Sequence, residues 1–119
     1  IQYAYARICS IQSKLKKQTK TNKQYFDLSL LNNKKEIDLM KEILRLPDVL
    51  NDISQNFEVH LLTNYVINLA KTFHSFYQTC PIIKSDKKLQ ASRLSLLDAT
   101  KTTFELCFKI MNIDAKKHM

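Results

Sequence analysis

The chain opens IQYAYARICSI (residues 1–11), a run in which Tyr3, Tyr5 and Arg7 interrupt small and branched apolar residues. Ile1, Ala4, Ile8, Ile11 and Leu15 recur at helical spacing and would turn one face to a core. Tyr3 and Arg7, four residues apart, share a different edge of the same helix. A phenol ring beside a guanidinium offers a flat surface and a fork of donors that packing alone does not need. Tyr5 is expected to be packing, its ring inside and its hydroxyl near the surface. Downstream, Lys14, Lys16, Lys17, Lys20 and Lys23 form a basic run that can attract phosphates without sequence preference, or simply stay solvated.

Residues for covalent or acid–base chemistry do not assemble. There is no glycine-rich phosphate loop and no HExxH, and no helix sets two carboxylates on one apolar face. Cys9, Cys80 and Cys107 are odd in number and widely spaced, with no CxxC, which argues against a disulfide framework and against a zinc site. Reduced thiols in a cytosolic protein are the expectation. His60 reads as a polar residue at a helix start and His74 as a surface residue. The chain taken alone is therefore expected to be non-catalytic, with no metal and no cofactor of its own.

Charge narrows the partner. Basic residues outnumber acids eight to one (Asp27) over residues 1–35 and seven to three over 87–119, whereas four basic residues face seven acids over 36–86. If the two basic ends meet, they make one positive face, the footprint of a polyanion binder. No apolar stretch is long enough to span a bilayer, and no charged lead precedes an apolar run as in a signal peptide.

The elements that must position these residues are helical. Glycine is absent and proline occurs only at 47 and 81, which leaves a β-rich fold of 119 residues without its usual turn residues. One domain spanning 1–119 is expected, an all-α antiparallel bundle of about five helices. Asn33 and Glu36 have capping-box spacing and open a second helix through Arg45, with Ile37, Met40, Ile43 and Leu44 as its stripe. Pro47 stops that helix and suits the first turn of the next, 48–56. A long helix over 58–79 carries the stripe Leu62, Val66, Leu69, Phe73 and Phe76. The last, 86–111, carries Leu94, Leu97, Phe104, Phe108 and Met111.

Taken in order, IQYAYARICSI, DLSLL (27–31), LPDVL (46–50), HLLTNYVINLAKTFHSFYQTCPI (60–82), ASRLSLLDATKTTF (91–104) and the closing IDAKKHM resemble the C-terminal anticodon-binding (DALR) domain of arginyl-tRNA synthetases, class I enzymes. The resemblance covers the whole chain. It implies that the complete enzyme joins arginine to its tRNA with ATP and magnesium, using signature motifs absent from these residues. It further implies a cytoplasmic, monomeric protein whose partner is arginine-accepting tRNA. Every arginine codon has G in the middle, so every arginine anticodon has C there, and one pocket can serve one base. In the family that pocket draws on the tyrosine and arginine of the opening helix, the tyrosine of an F-Y pair and the terminal methionine; these match Tyr3, Arg7, Tyr77 and Met119. Splayed anticodon bases are read by stacking on aromatic or guanidinium planes. Lys14, Lys16 and Lys17 would add phosphate contacts.

Departures from the family pattern are local: Tyr5 for a histidine, Asn112 for a glycine, and a tail without the proline and arginine that often precede the last methionine. The name-giving tetrad aligns with Gln90-Ala91-Ser92-Arg93, where only alanine and arginine survive. Arg93 is expected to pair with an acid or brace a neighbouring helix. Two other readings differ in what they predict. A related domain from another class I synthetase lacks the Q-Y-A-x-A-R opening, and a helical protein–protein module needs an exposed apolar groove.

Overall fold

A helix begins most readily where a side chain can satisfy its first backbone N–H groups. The computed structural model describes residues 2–18, 33–56, 60–80 and 87–111. Within them are α1 (Gln2–Gln18), α2 (Lys34–Leu44), α3 (Leu46–Asn56), α4 (His60–Thr79) and α5 (Lys87–Met111), and no strand among the described residues. The Asn33 side chain accepts from the Lys35 backbone N–H at 2.9 Å, while Glu36 Oε1 accepts from the Asn33 N–H at 3.1 Å. The capping box read from the sequence is thus formed. Arg45 closes α2, and α3 follows at once with Pro47 in its first turn, where a missing N–H costs nothing.

α4 is the hub, packed against all four other helices, and α1 lies along α5. Among the described residues, the helices that belong to the two basic stretches are therefore neighbours. Leu62, Val66, Leu69, Phe73 and Phe76 are all buried, as their spacing predicts. They meet Ala4, Tyr5, Ile8 and Ile11 of α1 and Leu97, Phe104 and Phe108 of α5 in one core. Leu94 and Met111 pack only partly buried against it. Tyr5 is wholly interior and meets Phe108 edge to face, ring centres 5.7 Å apart at 71°. Its phenol is pushed well above the ordinary range, chiefly by burial and further by Cys9 and Glu105. Tyr65 is buried too, and its hydroxyl donates to the Glu42 carbonyl at 2.6 Å. That bond ties α4 to the end of α2, at a carbonyl that also accepts from the Arg45 backbone N–H at 3.2 Å.

The stripe expected on α2 is rotated. Glu36 and Leu39 are the buried residues, while Met40 and Ile43 pack only partly buried and Leu44 is 75% exposed. The reason is an ion pair. Glu36, 1% exposed, accepts from Arg93 Nε at 2.9 Å through Oε2, leaving its other oxygen for the cap. With its charge matched, a glutamate can occupy the buried stripe, and the apolar residues on the far side turn outward. Arg93 therefore pairs with an acid and braces α5 against α2. Gln90 and Ser92 of the same tetrad are also buried, so the segment holds the bundle together rather than facing outward. Within α5, Thr100 and Thr103 donate back to the Leu96 and Ala99 carbonyls at 2.8 Å, which lets hydroxyls lie inside.

Candidate nucleic-acid interface

On α1, Ala4, Tyr5, Ile8 and Ile11 face the core, which leaves Tyr3 and Arg7, one turn apart, on the rim. On α4, the buried Phe73 and Phe76 set Tyr77 beside them on the flank that α1 approaches. The three side chains meet. Arg7 Nη2 donates to the Tyr3 hydroxyl at 2.9 Å. The guanidinium carbon lies 5.1 Å from the Tyr3 ring centre and 4.7 Å from that of Tyr77. One cation thus bridges two aromatic rings from two helices, each contact worth about 0.5–1 kcal/mol at a partly exposed site. Hydrogen bonding to Tyr3 raises the arginine's pKa, with burial opposing.

Tyr3 is 54% exposed, Tyr77 is half-buried against Phe73 with ring centres 6.2 Å apart, and Arg7 is half-buried. Such an arrangement is built before any ligand arrives. Fixing a free side chain at an interface costs about 0.5–1.5 kcal/mol, and here three are already restrained. The cluster presents aromatic surface, a positive centre and donors on one edge. It can stack on flat rings and pair with an anion.

His74 is the residue that sequence reasoning missed, having been read as a plain surface position. It lies one turn before Tyr77 on α4 and stacks on Tyr3, ring centres 6.3 Å apart and planes inclined by 28°. Burial first, and then the nearby Arg7 charge, lowers its pKa below the usual imidazole value. Its i, i+3 relation to Tyr77 puts both on one edge of the helix, but that spacing alone does not say which edge α1 meets.

The remaining sequence expectations are less settled by position. Lys14 is exposed near the end of α1. Lys16 and Lys17 belong to the last turn of α1, but their side chains, like Met119, lie outside the described residues. His60 is exposed at the first position of α4. Cys9, Cys80 and Cys107 are free thiols, and no group of His, Cys, Asp or Glu among the described residues could hold a metal ion. No described helix is long and apolar enough to cross a membrane. A concavity of about 420 Å³ lies between α2 and α4, away from the Tyr3–Arg7–Tyr77 cluster; Lys35, Lys41 and Lys71 line it with Asp38 and Glu42, a nearly balanced set without aromatic rings.

Comparison with known proteins places this geometry in a family. The model of the DALR anticodon binding domain matches residues 1–119. Arginine–tRNA ligase of Dehalococcoides mccartyi is 33% identical over 119 residues, and that of Methanocaldococcus jannaschii 35% over 121; each alignment takes in 100% of this chain and 21% of the relative. Among solved structures, the arginyl-tRNA synthetase of Plasmodium falciparum superposes with a TM-score of 0.82 at 31% identity, covering 98% of this chain and 20% of that one. The Thermus thermophilus arginyl-tRNA synthetase does so with a TM-score of 0.86 at 25% identity, covering 99% and 20%. The chain spans about a fifth of the length of these relatives. Its helices, its core and its full-length match make it a member of the DALR anticodon-binding domain family, homologous to the C-terminal region of arginyl-tRNA synthetases.

Proposed function

We propose that this chain grips the anticodon loop of arginine-accepting tRNA and reads its middle cytosine at the Tyr3–Arg7–Tyr77 cluster. One observation carries the reading: three side chains singled out by the family match, two on α1 and one on α4, converge on a single cation–aromatic site. A base turned out of the loop stacks on a tyrosine face, and the guanidinium fork pairs with a base edge or a neighbouring phosphate. The lysines of α1, with Lys14 on the exposed surface, add attraction that fixes no sequence. Met119, outside the described residues, is the fourth residue this reading assigns to the base.

The parent activity is then arginine–tRNA ligation in the cytoplasm, using ATP and magnesium, with catalysis carried by chain beyond these residues. The relatives' name, arginine–tRNA ligase, and their fivefold greater length support the ligation and its seat in other chain. For the protein-interaction alternative, the exposed large apolar residues among the described ones are Tyr3, Leu44, Ile67, Leu106 and Ile110, on four helices.

The test is binding at low and at moderate salt, with an arginine tRNA and with the same tRNA carrying uracil for its middle anticodon cytosine. Loss of one stacking and edge contact, about 1–3 kcal/mol, predicts a preference of roughly 5- to 150-fold for the native anticodon that survives added salt. Equal binding of both, falling together as salt rises, would leave only a basic surface.

A further inference from the structure

Tyr3 is the most exposed of the three residues; the Arg7 guanidinium carbon lies 5.1 Å from its ring centre, and its hydroxyl accepts a hydrogen bond from the same group. That bond cannot fix the ring plane. The hydroxyl oxygen lies on the axis about which the ring turns, and this torsion is soft for an aromatic side chain. A ring that must receive a base face to face needs its plane held by something lying against it. His74 is what lies there, inclined by 28° to the Tyr3 ring, and it is itself steadied by Phe73, whose ring centre is 5.9 Å away. A flat ring with polar edges suits this rim position better than a bulky aliphatic group, which would give no plane to align against. Keeping the imidazole neutral also avoids a second cation beside Arg7, and burial and that charge both act in this direction.

We propose that His74 is a positioning residue of the anticodon site: its ring backs one face of Tyr3 and sets the plane on which the base stacks. The inference rests on the base-stacking role of Tyr3 proposed above. It assigns His74 a part in base discrimination without direct contact to the base.

The experiment measures, in the full-length polypeptide, the binding preference for the native arginine tRNA over the tRNA with uracil at the middle anticodon position. His74→Ala, His74→Gln and His74→Phe are compared, with Tyr3→Ala and the Tyr3→Ala/His74→Ala pair as references. An aromatic pair contributes about 0.5–1.5 kcal/mol beyond its area, so His74→Ala and His74→Gln are expected to cut the preference roughly 2- to 12-fold. His74→Phe, which keeps the stack and removes the nitrogens, retains it. In the Tyr3→Ala background the histidine change has no further effect. If the alanine variant does not fold, the glutamine and phenylalanine variants decide the matter alone.

Unchanged preference in His74→Ala and His74→Gln, with Tyr3→Ala losing it, overturns the positioning role. Rescue by glutamine but not phenylalanine overturns it as well, in favour of a hydrogen bond. If Tyr3→Ala and Tyr77→Ala themselves leave the preference intact, the stacking site is wrong and the role of His74 falls with it.

Discussion

Removing one charge of the Glu36–Arg93 pair should cost far more than removing both. Glu36 is 1% exposed and its two oxygens are fully engaged, one with Arg93 Nε at 2.9 Å and one with the Asn33 N–H at 3.1 Å. Glu36→Gln keeps an oxygen for the cap but removes the carboxylate charge that Arg93 Nε meets at 2.9 Å. Arg93→Met leaves a carboxylate in the same place. Breaking a buried pair from one side costs about 3–5 kcal/mol, with the glutamine variant at the lower end because its amide still accepts a hydrogen bond. Against a total of about 5–15 kcal/mol for a domain, either change removes a large share. The double variant carries no buried charge and is expected to lose only about 1–2 kcal/mol. Urea unfolding followed by far-ultraviolet circular dichroism reads this directly. At a slope of roughly 1–3 kcal/mol per molar, each single variant moves the midpoint by about 1–5 M, and the double variant recovers most of it. Single costs below about 1 kcal/mol, or a double cost equal to the sum of the two, would refute the claim that the pair is what allows Glu36 to lie inside.

Other consequences follow from single contacts. Tyr65→Phe removes the 2.6 Å bond to the Glu42 carbonyl and should lower stability by about 0.5–1.5 kcal/mol in the same urea assay, with little loss of packing. Thiol labelling of the native protein should modify half-buried Cys9 first and Cys107 last, because burial both shields Cys107 and raises its pKa to about 11, so that little thiolate forms at neutral pH. The folded protein holds His74 below the usual imidazole pKa, so its contribution to stability is intact above about 6.5 and is lost as pH falls from there through the folded value. Thermal unfolding scanned downward from pH 7 should therefore show a decline that is smaller in His74→Phe.

Much of the bundle was legible because its signals are local. The Asn33–Glu36 spacing announced the start of α2, Pro47 marked the first turn of α3, and the α4 stripe from Leu62 to Phe76 is buried residue for residue. The face of α2 was not legible. Counting apolar residues chose Ile37, Met40, Ile43 and Leu44, a face turned by roughly one residue position from the one that packs. Only the partner on α5, 57 positions away, reveals that a glutamate belongs inside. The candidate site divides in the same way. Tyr3 and Arg7 announce a shared edge by their spacing, and the family match adds Tyr77. His74 stayed hidden because its meaning depends on which flank of α4 receives α1, a tertiary fact that no single-helix pattern carries.

The most direct measurement places a fluorescent cytosine analogue at the middle anticodon position of an arginine tRNA and titrates it with the protein. Stacking on Tyr3 or Tyr77 predicts quenching that saturates with binding, is kept at moderate salt, and is lost in Tyr77→Ala while residual low-salt binding persists. Tight binding with unaltered emission, or quenching indifferent to Tyr3→Ala and Tyr77→Ala alike, would contradict a base-reading role for this cluster.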